Sequence, residues 1–308
     1  MPMRGILTLA AIALTCGVPA ALAADPSPSP EQLMPPEQLI KDVVFNELSD
    51  HQHHAFFEYL DCKRIGQQTL VKAEVETRGG RVNRMLEQDG HPLTDEEQRE
   101  ESRRLQNLLH DTGQQQKLQR DYQGDEDRIA RIIGLLPDGF LYRYDGIEGG
   151  EIRLKYQPNP SFRPPTYEAR VFHGMAGTLW IDLREKRLRR LQGQLIANVD
   201  FGYGLLGRLD KGGTFDMERL EVTTGNWKTR VLNVHISGHV ILLKNIGKDQ
   251  DEVRSDFRQV PSNLDLQGAE VMLNQVQIHG GPPVIQTGAA ASLGGDDRSN
   301  SPDGLAFK

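Results

Sequence analysis

The chain has 308 residues, of which 36 are lysine or arginine and 43 are aspartate or glutamate, so its net charge is −7 with neutral histidines. This acidic balance argues against nucleic-acid binding as the main activity, because a protein that neutralises phosphates should carry an excess of basic residues. After the first 24 residues no run approaches the roughly 18 to 20 apolar residues that a spanning helix needs, which argues against an integral membrane protein.

The N-terminal segment 1–23 has the pattern of a secretory signal peptide. Arg4 supplies the basic start, no charge follows until Asp25, and small residues end at Ala23 in an Ala-x-Ala pattern. Cleavage near Ala23 predicts export to the periplasm and a mature net charge of −8, because only Arg4 is lost among the charged residues. A lipoprotein signal cleaved before Cys16 is disfavoured, since the preceding position lacks the usual small residue. Cys62 would then be the only mature cysteine, which excludes an internal disulfide.

The next elements are a linker, a helix and a hairpin. Residues 24–36 are rich in proline and serine and predict an extended linker. Apolar residues recur at helical spacing over 37–50, which predicts a first helix. Apolar and charged residues alternate from Val71 to Val75 and lead into two glycines, which predicts a strand that continues into a hairpin.

Two helices are predicted to interrupt the strands. Thr94 and Glu97 have the spacing of a capping box and open a helix over 94–111 that is charged on nearly all sides. A second helix is predicted over 125–136, because isoleucines and a leucine form an apolar stripe there. The chain therefore combines accessory helices with a larger number of strands.

Beyond Phe140 nearly every segment alternates between apolar and polar residues, as half-buried strands do. The clearest strands are predicted over 140–144, 152–156, 191–201 and 232–242, the last bent at Gly238. One apolar and one polar face, strand after strand, indicates a large antiparallel sheet with a single wet side. The sequence thus predicts a mainly β domain of the α+β class over 37–260, then a short helix and connection over 261–283 and a disordered tail over 284–308.

A one-sided sheet of about ten strands must cover its apolar face with helices or curl around it. An apolar concavity that the helices leave uncovered is a candidate ligand site. The candidate residues for this site are Phe140, Tyr142, Ile152, Leu154, Leu195, Val199, Leu232, Val234, Ile236 and Leu242.

Several motifs favour a simpler interpretation. Residues 202–207 match the glycine pattern of dinucleotide sites, but a strand rather than the required helix is predicted to follow, so a sheet-corner connection is favoured. The cluster of His51, His53 and His54 could bind zinc or copper, which remains an alternative hypothesis to polar histidines at a junction. Cys62 is interpreted as a small buried hydrophobe. With no pattern of a hydrolase nucleophile, we expect neither an enzyme nor a cofactor site.

The segment Gly177-Thr178-Leu179-Trp180-Ile181-Asp182, with its return Lys186-Arg187-Leu188-Arg189-Arg190-Leu191 and Gly193, resembles a signature of the bacterial LolA/LolB-like lipoprotein-sorting proteins. That signature is a strand with tryptophan, an apolar residue and aspartate, then a basic and apolar return strand. The resemblance implies an open half-barrel of antiparallel strands whose apolar concave face, under a helical lid, holds acyl chains. It also implies carriers without catalytic residues.

Three functional hypotheses follow. The leading one is a periplasmic carrier or sensor that binds lipid or lipoprotein acyl chains, with envelope membrane proteins as further candidate partners and with no nucleic acid. The second is a non-catalytic envelope scaffold whose core is completely filled. The third is a metal-binding protein built on the His51 cluster.

Overall fold

The computed structural model describes residues 34–50, 55–201, 207–240, 249–276 and 285. Some sequence predictions lie outside these ranges: the signal peptide, most of the linker, the histidines 51, 53 and 54, the glycine-rich segment 202–206, Leu242 and nearly all of the C-terminal tail. These remain predictions.

The described helices are α1 (Pro36–Asp50), α2 (Asp95–His110), α3 (Thr112–Ile133), α4 (Leu136–Gly139), α5 (Tyr167–His173) and α6 (Leu266–Gln275). The strands of the first half are β1 (Phe57–Ile65), β2 (Gln68–Thr77), β3 (Gly80–Gln88), β4 (His91–Pro92), β5 (Phe140–Glu148), β6 (Glu151–Pro158) and β7 (Met175–Asp182). Those of the second half are β8 (Leu188–Leu195), β9 (Val199–Phe201), β10 (Gly207–Leu209), β11 (Thr214–Thr223), β12 (Asn226–His235), β13 (Gly238–Val240) and β14 (Asp249–Gln259).

Most of the strands form one antiparallel sheet of 11 strands that is not closed into a barrel. Its order is β4-β3-β2-β1-β14-β12-β11-β8-β7-β6-β5, so β4 and β5 are the edges, and the first and last of the described strands, β1 and β14, pair inside the sheet. Strands hold 45% of the structure and helices 33%. The predicted fold class, mainly β with accessory helices around a large open sheet, is confirmed.

Two long strands of the prediction are each divided. The stretch 191–201 leaves the large sheet after Leu195 and resumes as β9, and the stretch 232–242 breaks after His235 and resumes as β13. With β10 these pieces form a separate three-stranded sheet. Gly238 permits the break, because it has φ +138° and a Cβ there would lie 2.3 Å from the carbonyl oxygen of Arg208.

The helices α2 and α3 share one capping residue. The predicted capping box of α2 is confirmed, with the backbone N–H of Thr94 donating to Glu97 at 2.8 Å. Asp111 ends α2 and begins α3, since its side chain accepts from the N–H groups of Gly113 and Gln114. The helix predicted over 125–136 is therefore much longer at its start, where polar residues offered no apolar stripe to reveal it.

Two hydrophobic cores hold the fold together. The first core joins α1, α4 and α5 to strands β5 to β9; its largest fully buried members include Leu39, Ile40, Leu154, Leu179, Ile181, Leu195 and Phe201. The second core joins α2 and α6 to β1, β2 and β3; its members are Leu60, Ala73, Val75, Val82, Leu105, Leu108, Ala269 and Leu273. Each core lies against one part of the large sheet.

The two cores lie on opposite faces of the sheet. Directly paired residues of antiparallel strands share a face. One row of such partners, from β6 to β1, is Leu154, Leu179, Leu191, Met217, Leu232, Glu252 and Lys63. A row on the other face is Arg153, Trp180, Arg190, Glu218, Val231, Val253 and Cys62, which continues to Val71 of β2.

The face that carries the first core therefore changes from apolar to charged near β12 and β14, and the opposite face changes there from charged to apolar. The expectation of a single wet side is wrong in this respect. Alternation with a period of two shows that each strand has an apolar side, but the pairing register decides which side of the sheet that is. β12 lies at the changeover and carries apolar residues on both faces, Val231 on one and Leu232 on the other.

Candidate functional site

The apolar face of the first core contains most of the candidate ligand residues. The members of this core among them are Phe140, Tyr142, Ile152, Leu154, Leu195, Val199 and Ile236. Val234 packs against this core while partly buried, and Leu232 lies half-buried on the same face beside its partner Met217. The structure thus brings the described candidates onto one surface, whereas Leu242 lies outside the described residues.

Helix α1 covers this face. Leu39, Ile40 and Val43 are each only 1% exposed and pack into the first core, while Phe45 on the other side of the helix is 71% exposed. Spacings of three and four residues place these side chains on one stripe, as an amphipathic helix requires. The apolar surface that the sequence predicted for a ligand is therefore occupied by three of the chain's own residues and their neighbour Val44.

A buried ion cluster holds the end of α1. Glu47 accepts from Arg187 through both carboxylate oxygens, Nε to Oε1 and Nη2 to Oε2, each at 3.1 Å, and from Nη1 of Arg219 at 2.5 Å. The backbone N–H of Leu188 donates to the same carboxylate at 2.8 Å. Burial acts to raise the pKa of Glu47, but attraction by Arg219 and Arg187 outweighs it, and the pKa is lowered. We call Glu47, Arg187 and Arg219 the Glu47 clamp.

The turn between β7 and β8 adds further ties to α1. Lys186 pairs with Asp42 at 2.5 Å, and this hydrogen bond lowers the pKa of the Asp42 carboxyl. The side-chain amide of Asn46 donates to the carbonyl oxygen of Glu185 at 3.0 Å, and the indole N–H of Trp227 donates to the Glu185 carboxylate at 2.7 Å. Polar contacts to one turn thus fix the orientation of α1 over the sheet.

Tyr156 places one unpaired polar atom within the apolar face. Its hydroxyl is buried without a hydrogen-bond partner among the described residues, and burial raises its pKa well above the usual range. The ring packs edge-on against Phe140 at 5.1 Å. A Cβ at Gly193 would lie 2.4 Å from this hydroxyl, so the glycine provides the space for it. The sequence signal for this space is Gly193 itself, a glycine at an inward position of β8.

A polar cluster continues the same face across β14 and β1. We define it by Asp61, Glu252, Arg254, Lys63 and Tyr59. Lys63 pairs with Glu252 at 3.0 Å, Arg254 contacts Glu252, and Nε of Arg254 lies 3.6 Å from Oδ1 of Asp61. Asp61 and Glu252 are 5% and 2% exposed. Sequence reasoning missed this cluster, because Asp61 stands in an otherwise ordinary strand.

Asp61 is the least compensated member of the polar cluster. Its buried Oδ1 has no hydrogen-bond partner within the described part of the chain. Burial, followed by the negative charge of Glu252, raises the pKa of Asp61 to about 7. For Glu252, burial also acts upwards, but attraction by Arg254 and Lys63 lowers its pKa overall. The charges present thus stabilise one carboxylate well and the other poorly.

The remaining sequence candidates give no chemical site in the described ranges. No group of three or more histidine, cysteine, aspartate or glutamate side chains lies close enough there to hold a metal ion. His235 of β12 pairs with Asp249 at 2.5 Å and with Asp251 at 3.0 Å. Cys62 is buried, and burial raises the pKa of its thiol to about 11, which keeps it protonated and unreactive at neutral pH.

No helix within the described residues combines the length and apolar character needed to cross a bilayer. Comparisons with family models, curated proteins and solved structures find no match to this chain. The resemblance to the LolA/LolB-like group therefore remains a prediction from the sequence.

Proposed function

We propose that the protein is a periplasmic carrier or sensor that binds the acyl chains of lipids or lipoproteins on the first-core face, with α1 as a cover that must leave. The observation that supports this proposal is the position of α1. This helix occupies the apolar surface of β5 to β8, and its polar ties come from the Glu47 clamp and one turn. A helix attached in this way can be exchanged for another apolar group without breaking strand pairs.

The energies of the two occupants are comparable. Leu39, Ile40, Val43 and Val44 are buried by α1, and burying four such side chains contributes roughly 6–12 kcal/mol in all. An acyl chain of about 14 methylenes contributes about 11 kcal/mol at ~0.8 kcal/mol for each. Because the apolar terms nearly balance, the polar ties of α1 decide how readily a chain enters.

A matched pair of substitutions tests this competition. Ile40 of α1 and Ile181 of β7 are both fully buried in the first core. Ile40→Val weakens only the cover, by about 0.5–1.5 kcal/mol, so we expect the affinity for a fluorescent hexadecanoic acid to rise roughly two- to tenfold. Ile181→Val removes the same methyl group from the sheet, which contacts either occupant, so the affinity should not rise. Equal changes in both variants would contradict the proposal.

The alternative is an envelope scaffold that binds no chain. The observation that favours it is the filled first core, in which α1 already buries the apolar face. Under this alternative neither variant binds the probe, and native mass spectrometry of the protein from its own envelope detects no lipid. That pair of results would replace the carrier with the scaffold.

A further inference from the structure

The apolar face and the polar cluster form one continuous surface. In the row of strand partners, Leu191, Met217 and Leu232 are followed directly by Glu252 and Lys63 on the next two strands. Asp61 lies on the same face as Lys63, two residues before it on β1. A molecule lying along this row would thus contact apolar side chains at one end and buried charges at the other.

The polar cluster has one buried acceptor without a donor. Oδ1 of Asp61 has no hydrogen-bond partner among the described residues, and Nε of Arg254, which lies 3.6 Å away, has none either, whereas Oε1 of Glu252 contacts Nη2 of Arg254. Buried polar atoms are nearly always hydrogen-bonded, so an unpaired oxygen on a side chain that is 5% exposed calls for a specific reason. Lys72, the strand partner of Asp61, forms no ion pair with it in the described structure.

We propose that the polar cluster is a headgroup subsite for an amphiphile whose chain lies on the first-core face, and that Asp61 accepts a hydrogen bond from a primary ammonium group. This inference rests on the proposed acyl-chain binding. An ammonium supplies N–H donors and a positive charge, which is what the buried Asp61 carboxylate, with its unpaired oxygen, lacks. The raised pKa of Asp61 agrees with this, because it shows that the resident Arg254 and Lys63 leave its charge poorly compensated.

A pair of lysolipids tests the subsite. Palmitoyl lysophosphatidylethanolamine and palmitoyl lysophosphatidylcholine have the same chain and phosphate, but only the first has N–H donors. We measure each by displacement of the fluorescent hexadecanoic acid at pH 8, where Asp61 is mostly ionised. We expect the ethanolamine lipid to bind about tenfold more tightly, the usual effect of hydrogen bonds to charged groups.

Two substitutions locate the preference. Asp61→Asn keeps the shape of the side chain and should reduce the preference to less than about twofold. Asp216→Asn is the control, because Asp216 is a carboxylate on the opposite face that pairs with Arg190 at 2.7 Å, and it should keep the full preference. If Asp61→Asn also keeps the preference, the subsite is overturned.

The other outcomes separate the two proposals. Binding of both lysolipids with equal affinity by the unmodified protein overturns the headgroup subsite and leaves acyl-chain binding standing. If the probe and both lysolipids all fail to bind, acyl-chain binding and the subsite are overturned together.

Discussion

Removal of the Glu47 carboxylate is the most direct test of how α1 is held. Glu47 is 4% exposed and accepts from Arg187, Arg219 and the backbone of Leu188. Glu47→Ala leaves two largely buried guanidinium groups without this partner, and breaking a buried ion cluster in this way costs about 3–5 kcal/mol. Asp42→Ala, which removes the more exposed pair with Lys186 on the same helix, should cost only about 0.2–1 kcal/mol.

Urea unfolding at pH 7 measures both changes as shifts of the transition midpoint at constant slope. The effect of Glu47 also has a predicted pH dependence. Because its pKa is lowered in the folded state from the usual 4.5, its stabilisation is complete above pH 4.5 and is lost as the pH falls through the folded pKa. Glu47→Gln should therefore differ most from the unmodified protein near neutral pH and least in acid.

A loss for Glu47→Ala no larger than that for Asp42→Ala would refute this account of the clamp. A compensated variant provides a further check. Replacing Glu47, Arg187 and Arg219 together by leucine or methionine removes every charge of the clamp, and such replacements are often neutral or stabilising by about 1–4 kcal/mol. If the triple variant is less stable than Glu47→Ala, the penalty does not come from uncompensated charge.

Three other predictions concern single residues. Because the pKa of Asp61 is raised to about 7 from 3.8, the stability that comes from its protonation is complete below pH 3.8 and is lost as the pH rises through 7. Asp61→Asn should therefore stabilise the protein at pH 8, by at most about 4 kcal/mol, and should stabilise it little at pH 4. Equal shifts of the urea midpoint at the two pH values would contradict this prediction. Gly177→Ala would place a Cβ 1.9 Å from the carbonyl oxygen of Gln192 and should lower the thermal midpoint, at a cost of about 3 kcal/mol. By contrast, a Cβ at Gly124 in α3 meets no atom within 4 Å, so Gly124→Ala should raise the thermal midpoint through a stabilisation of about 0.5–1 kcal/mol. Midpoint changes of the same sign in the two variants would refute the packing argument. The buried Cys62 thiol, with its pKa raised to about 11, should react with an aromatic disulfide reagent only when urea unfolds the chain, and fast labelling of the folded protein at pH 8 would be inconsistent with its position.

Local sequence signals predicted the elements whose causes are local. The Thr94 capping box specified the start of α2, and alternating residues on either side of a glycine-rich turn specified the β2–β3 and β5–β6 hairpins. Helix α3 was only partly predicted, because its first half has no apolar stripe and depends on the Asp111 cap. Periodicity thus revealed amphipathic elements and missed a polar one.

The location of the candidate site depended on long-range pairing. Alternation indicated that Leu154, Leu195 and Ile236 face a core, and the structure places them in one. It could not show that Glu47 would meet Arg187 and Arg219, which are more than a hundred residues away in sequence. Register, which no single strand encodes, likewise decided that the face carrying Leu232 would continue into the charges of the polar cluster.

The order of strands has a consequence for the kinetics of folding. α1 precedes β1 in the chain but packs on the part of the sheet built from β5 to β8, and α6 follows β14 but packs on β2 and β3. β14, one of the last elements to be synthesised, joins β1 to β12. Neither of the two cores can form from one contiguous stretch of chain, so each core depends on segments that flank the other in the sequence. We therefore expect slow folding that starts only when residues up to 276 are available, and unfolding of both cores in one cooperative step.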